Sequence, residues 1–261
     1  MNTKLVFILC VLIIFVVYSS SNTNLHFDQD LPDWNAKSST HILFTRYKEA
    51  DMSIILKPFI NKKDTTVFIY NKGNDTPTGI PDDATNVNII NIPNLGWDSY
   101  GYVHHVINNY DNLPDYIYNI HASAQYLFSK YELLIDILNE SQNNRYYYGG
   151  RLIECDLGFY LNNWSATYNL NRLYNPDHVY TISSIRPIKK WLLTKINKIP
   201  DFAISKPNHI YHNYGGMFFV HKSKILKYDK SFYLKIFNEI SVWQSEVNHY
   251  LERSWFIFYN D

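Results

Sequence analysis

Residues 94–123 read NLGWDSYGYVHHVINNYDNLPDYIYNIHAS, and this stretch decides the fold class. After Pro93 an Asn-x-Gly-x-Asp turn leads into an amphipathic segment, with Asp98 at the expected helix start, a place that suits a capping acid. Tyr102, Val103, Val106, Ile107 and Tyr110 then recur at helical spacing. The adjacent His104 and His105 point about 100° apart on such a helix and cannot share one ion; His105 is expected at the surface. Leu113-Pro114 ends the segment. Tyr116, Ile117, Tyr118 and Ile120 read as a mostly buried strand, followed by His121, Ala122 and Ser123. In open α/β sheets ligands lie outside the carboxyl ends of the strands, so His121 and Ser123 stand where chemistry is expected.

The same alternation extends to both sides. Residues 41–47 (HILFTRY) read as a strand and 50–60 as a short helix. Residues 65–70 (TTVFIY) form a second strand ending in Asn71-Lys72-Gly73, and 86–92 (NVNIINI) a third, after a polar loop at 74–85. Residues 126–138 carry Leu127, Leu134, Ile137 and Leu138 on one helical face. Past residue 139 the pattern loosens. Segments 145–148 and 152–155 are candidate strands, 189–196 a candidate helix, 215–220 (GGMFFV) a strand and 231–255 a helix. Strands alternating with helices predict an α/β fold with a mostly parallel sheet and helices on both faces.

With 261 residues, 46% of them hydrophobic, the chain has enough sequence for one sizeable core. Its 24 basic and 24 acidic residues cancel, so no global field draws it to nucleic acid. Residues 5–18 (LVFILCVLIIFVVY) are an unbroken apolar run with Lys4 on one side and SSSNTN on the other. At helical rise the run covers roughly 21 Å of a ~30 Å hydrocarbon core. It suits a short signal-anchor or the apolar region of a cleaved signal peptide, and the anchor reading is adopted. Lys4 then leaves the remainder in the lumen or outside. Residues 19–40 read as a stem and 41–261 as the folded domain. Sequons at Asn74, Asn139 and Asn163 suit a secretory route. Cys10 lies within the apolar run, which leaves Cys155 without an intrachain partner in the folded part.

Three segments together carry a resemblance. Asn94-Leu95-Gly96-Trp97-Asp98, then Tyr110-Asp111-Asn112-Leu113-Pro114, then a strand ending in His121 resemble glycosyltransferase-like proteins of GT-A type. The likeness is to a family catalogued as a domain of unknown function and found as single-pass membrane proteins. Residues 213–222 (NYGGMFFVHK) and Leu251-Glu252-Arg253 extend it, more loosely, to transferases of rhamnan and capsular polysaccharide synthesis. The resemblance implies a Rossmann-like GT-A domain that transfers a sugar from a nucleotide-sugar donor to a glycan or protein acceptor. It implies that Arg46, Asn71, Asn94, Asp98 and Ser123 cradle the donor, and that Gly215 and Gly216 line the acceptor side. GT-A enzymes commonly hold Mn²⁺ or Mg²⁺ with an Asp-x-Asp motif at the fourth strand end. Here His121-Ala122-Ser123 stands there, so a divalent cation would lack its usual carboxylates. Either His121 binds a metal with a remote carboxylate, or it acts on the diphosphate directly, or the site is inactive.

The residues alone leave several roles open. Asp98 is a donor-orienting group or a helix cap. Gly215-Gly216 permits a close backbone approach or a bulge. Glu252 is a catalytic base for an acceptor hydroxyl or a surface ion-pair partner. His209, His212 and His221 read as solvated or core histidines rather than as a metal cluster, and Glu154-Cys155-Asp156 as exposed strand-end acids. There is no Gly-rich phosphate loop and no Gly-x-Ser-x-Gly elbow. The leading expectation is a membrane-anchored glycosyltransferase with His121 and Glu252 as catalytic residues. The alternative is a non-catalytic membrane glycoprotein that uses the same fold as a binding or structural module.

Overall fold

A computed structural model describes residues 30–49, 51–143, 145–160 and 181–260. In chain order its strands are β1 (Thr40–Arg46), β2 (Thr65–Asn71), β3 (Val87–Asn91), β4 (Tyr116–His121), β5 (Tyr147–Tyr148), β6 (Leu152–Asp156), β7 (Ile204–Lys206), β8 (His209–Asn213) and β9 (Phe218–His221). Its helices are α1 (Ser53–Leu56), α2 (Trp97–Asn109), α3 (Phe128–Ser141), α4 (Ile188–Leu193), α5 (Lys222–Ile225), α6 (Lys230–Ile240), α7 (Glu246–Glu252) and α8 (Trp255–Tyr259). Six strands make one sheet in the order β3-β2-β1-β4-β9-β5. The first four run parallel, β9 lies antiparallel to β4, and β5 antiparallel to β9. The chain steps outward from β1 to β2 to β3, then returns through α2 to β4 on the other side of β1. The winding therefore reverses between β1 and β4, which opens a crevice at their carboxyl ends. This is a mixed α/β architecture with a largely parallel sheet flanked by helices, compatible with a Rossmann-like fold.

Side-chain alternation in β1 distributes the core over both faces of the sheet. His41, Leu43 and Thr45 face α2. Thr45 Oγ1 donates to the Asp98 carbonyl at 3.3 Å, and a Cβ on Gly101 of α2 would lie 2.6 Å from that Oγ1, so helix and strand approach closely. Ile42 and Phe44 face the other way. The Phe44 ring lies 5.9 Å from Phe59, and Trp34 packs edge-on against Phe59 and Tyr118. On the α2 face, Tyr102 meets Phe218 and Trp255 at 5.0 and 5.1 Å. Aromatic pairs of this kind each add about 0.5–1.5 kcal/mol beyond their buried area.

The structure revises several expectations. The folded body takes in more chain than residues 41–261, because Trp34 is buried and donates from Nε1 to Ser141 Oγ at 3.0 Å. The helix expected at 50–60 is the single turn α1, since Pro58 has no N–H to continue the hydrogen-bond ladder beyond Lys57. His105 is fully buried rather than on the surface, with Nε2 2.9 Å from His41 Nδ1 and Nδ1 2.7 Å from the Tyr70 hydroxyl. Of the 215–220 segment only residues 218–220 pair as a strand, which runs on to His221. The helix expected over 231–255 is two, α6 and α7, interrupted where Gln244 takes φ +45° and Ser245 caps α7, and α8 begins only at Trp255. A second, antiparallel sheet, β6-β8-β7, was not expected. The apolar run at 5–18, residues 19–29 of the stem and Asn163 lie outside the described residues. No helix among the described residues is long and apolar enough to cross a membrane. Asn74 and Asn139 are exposed.

Candidate functional site

Two adjoining cavities open at the crevice beyond β1 and β4. The larger, about 720 Å³, is walled by the start of α2, the end of β4, the start of α3, β6 and α7. The smaller, about 520 Å³, is lined by Thr45, Arg46, Asn94 and Ser123 among others. Trp97, Asp98 and Lys130 line both and form the partition between them.

The local backbone explains why Asp98 reaches the cavity. Gly96 (φ +56°) and Trp97 (φ +44°) are both left-handed, and no side chain caps α2. Asp98 therefore lies inside the first turn, with its Oδ2 3.3 Å from His121 Nε2 rather than folded back as a cap. A left-handed tryptophan is strained, and such strain is most often found at functional sites.

His121, 6% exposed, is held from both sides. Lys130 Nζ lies 2.9 Å from its Nδ1 and 3.0 Å from Ser123 Oγ. An ammonium only donates, so Nδ1 accepts and the ring proton sits on Nε2, facing Asp98. Burial pushes the imidazole down to about 4, and Lys130 adds to this against the opposing pull of Asp98. Burial alone would raise the Asp98 carboxyl, but His121, Lys130 and Lys72 outweigh it and hold the group below its ordinary value.

Glu252, at the end of α7, completes the floor. Burial raises its carboxyl, and the Asp98 charge raises it further, against Arg253 and Lys130. Between Glu252 and His121 lies Gly216, with φ +68°. A Cβ there would sit 3.3 Å from Glu252 Cγ and 3.6 Å from His121 Nε2. The Gly216 carbonyl accepts from Asn119 Nδ2 at 3.0 Å, which ties it to β4. Gly215 (φ +86°) precedes it in the same wall. The two glycines are a left-handed turn entering β9.

The structure thus brings Asp98, His121, Gly215, Gly216 and Glu252 to one cavity, and Arg46, Asn94, Asp98 and Ser123 to its neighbour. Arg46 is fully buried with its guanidinium committed, at 2.5 Å each, to the Glu49 carbonyl, Asn71 Oδ1 and Asp75 Oδ2. It braces the ends of β1 and β2. Asn71 does not join the others. Its amide donates to Gly73 O, Asp75 O and Asn91 Oδ1, and it faces a separate recess.

Several lining residues escaped the sequence. Lys130 sits in the first turn of α3 among polar neighbours, which reads as an ordinary solvated position. Lys72, buried, donates to the Leu95 and Trp97 carbonyls, and burial lowers its ammonium to about 8 against the pull of Asp98. Its signal was its place directly after β2, at a strand's carboxyl end. His212 lines the larger cavity and is held at about 4, chiefly by burial.

The acids after β4 do not assemble a cation site. Glu154 pairs with Lys206 at 2.5 Å, and Asp156 Oδ1 accepts from the Gly158 amide at 2.7 Å. His209 and His212 point to opposite faces of β8, as any i, i+3 pair on a strand does. No group of three or more His, Cys, Asp or Glu among the described residues could hold a metal ion. His121 offers no ligand either, because its one lone pair meets Lys130 and its N–H meets Asp98. The donor set does not fit a divalent cation.

Comparisons with protein-family models, with curated proteins and with solved structures find no match.

Proposed function

We propose that the chain is a glycosyltransferase-like enzyme of GT-A type that moves a sugar from a nucleotide-sugar donor to a glycan or protein acceptor. On this reading residues 5–18 tether it to a membrane, with the folded body in the lumen or outside. The observation that carries the reading is the meeting of Asp98, His121 and Glu252 around Gly216, where the winding of the sheet reverses. Sugar transfer needs a donor and an acceptor side by side, and two cavities sharing one wall provide that arrangement. The smaller would take the donor. The larger would take the acceptor, with Glu252 as the base.

The chemistry is a displacement at the anomeric carbon. The acceptor oxygen forms its bond to that carbon while the bond to the diphosphate oxygen breaks. The electron pair leaves on the phosphate, and the acceptor proton passes to the Glu252 carboxylate. Burial makes Glu252 a stronger base than an exposed glutamate. His121, kept neutral, presents Nε2–H beside Asp98 and so holds that carboxylate in the partition.

The test is a thermal-shift screen of the purified full chain against uridine, guanosine, thymidine and cytidine nucleotide-sugars. Ligand at about one hundred times Kd stabilises by about 2.7 kcal/mol, a readily measured shift. At least one donor should raise the melting temperature, and Glu252→Gln should keep that shift while losing turnover. No shift with any donor, with or without Mn²⁺, would move the reading to a binding or structural module.

A further inference from the structure

We infer that Lys130 is the cation that receives the donor's diphosphate, taking the place a divalent metal would fill. The inference rests on the nucleotide-sugar reading above and names a residue and a charge source for it. Three observations lead there. Lys130 lines both cavities, and so stands at the partition where the bond between sugar and phosphate would break. It is anchored, since His121 Nδ1 and Ser123 Oγ accept two of its three N–H donors at 2.9 and 3.0 Å. The third donor remains for a ligand. Finally, the donor set around it does not suit a hard cation, because the lone pair that His121 would offer a metal is the one Lys130 occupies.

The charge balance is consistent. As the bond from the anomeric carbon to the diphosphate oxygen breaks, its electron pair stays on that oxygen. A fixed ammonium beside the partition stabilises the added charge with no solvent reorganisation. Asp98 would by itself repel a diphosphate. Its contact with His121, together with the charges of Lys130 and Lys72, reduces that repulsion. Lys72 is turned to the Leu95 and Trp97 carbonyls and adds field rather than a direct contact. Lys130 is also cheap to engage, because both of its anchors are already made before a ligand arrives.

The experiment is isothermal titration of the full chain with UDP, GDP, dTDP, CDP and inorganic pyrophosphate, in EDTA and again in Mn²⁺. At least one diphosphate should bind in EDTA. Lys130→Met should weaken it by roughly ten- to hundred-fold, the scale of one charge-assisted hydrogen bond. Lys130→Arg should restore most of the loss. The salt dependence of binding should shrink in Lys130→Met and return in Lys130→Arg, which a purely structural lysine would not produce. Wild-type binding that appears only with Mn²⁺ overturns the inference and leaves the transferase reading standing. Equal affinity of Lys130→Met and wild type in EDTA overturns it as well. Failure of every diphosphate under both conditions removes both readings. The wild-type comparison in EDTA and Mn²⁺ decides the matter even if a variant fails to fold.

Discussion

Gly216 marks the point where one atom decides between an open and a closed site. Its φ of +68° is disfavoured for any residue with a Cβ, and that Cβ would fill the space between His121 Nε2 and Glu252 Cγ. Gly216→Ala should therefore cost about 1–2 kcal/mol from the left-handed backbone. For a domain of this size that is a fall in Tm of roughly 2–8 °C. Turnover should fall further than stability does, because the added methyl lies where the acceptor hydroxyl must approach the base. Calorimetry and a transfer assay on the same preparation check both halves. A variant with wild-type Tm and turnover would show that neither the backbone nor the gap matters. By contrast, Gly101→Ala would collide with Thr45 Oγ1 at 2.6 Å and lower stability by packing alone, away from the cavity floor.

Helix α7 is the element on which the larger cavity depends, since Asn248, His249 and Glu252 all project from it. Its start is set by Ser245, whose Oγ accepts from the Val247 amide at 3.2 Å and donates to the Glu239 carbonyl at 2.9 Å. The second bond ties α7 to the end of α6. Ser245→Ala should cost about 1 kcal/mol, the value of a lost cap, and lower Tm by roughly 2–4 °C. Ser245→Thr should keep most of the stability. An unchanged Tm for Ser245→Ala would show that packing alone positions the helix. The cap also explains why this region was misread. Ser231 to Trp255 carries apolar residues at intervals a single helix would tolerate, and no Pro or Gly interrupts it. The break comes from Gln244 in a left-handed conformation, which serine capping stabilises but does not announce. The parallel strands were legible because each is a compact apolar run that ends at a polar tip. The hairpin β7–β8 was not legible, because its strands are too short and polar to stand out. Of the site, Asp98, His121 and the Gly pair could be read from their places at element ends, and Glu252 through the resemblance that Leu251-Glu252-Arg253 carries. Lys130 could not, because what sets it apart is a contact with His121 made only on folding.

At the scale of the whole molecule, neutral imidazoles spread through the core make stability depend on pH. His41, His121 and His212 are held at about 4 and His249 at about 3, chiefly by burial, while His105 lies well below its ordinary value. In the unfolded chain each returns to about 6.5. The folded values are depressed for groups that are charged when protonated. Their contribution to stability is therefore fully present above pH ~6.5 and is lost as pH falls toward 4, where the unfolded chain binds protons the folded chain refuses. Each such group can steepen the loss by up to about 1.4 kcal/mol per pH unit. Asp98, also depressed, acts in the same direction but only below the ordinary aspartate range. Glu252 acts oppositely. Its raised value favours the fold below the ordinary glutamate range and costs stability as pH rises through the folded value. One carboxyl against five histidines leaves the acid side the weaker. Tm should be nearly level between pH 7 and 8 and fall steeply between pH 6.5 and 4. His212→Gln, outside the His41–His105–Tyr70 chain of hydrogen bonds, should make the fall shallower by about one proton. Calorimetry of wild type and this variant from pH 4.5 to 8 measures both slopes. A Tm at pH 5 equal to that at pH 7.5 would mean that the imidazoles gain water or protons without unfolding, and that the core around α2 and the cavity floor opens more readily than its burial implies.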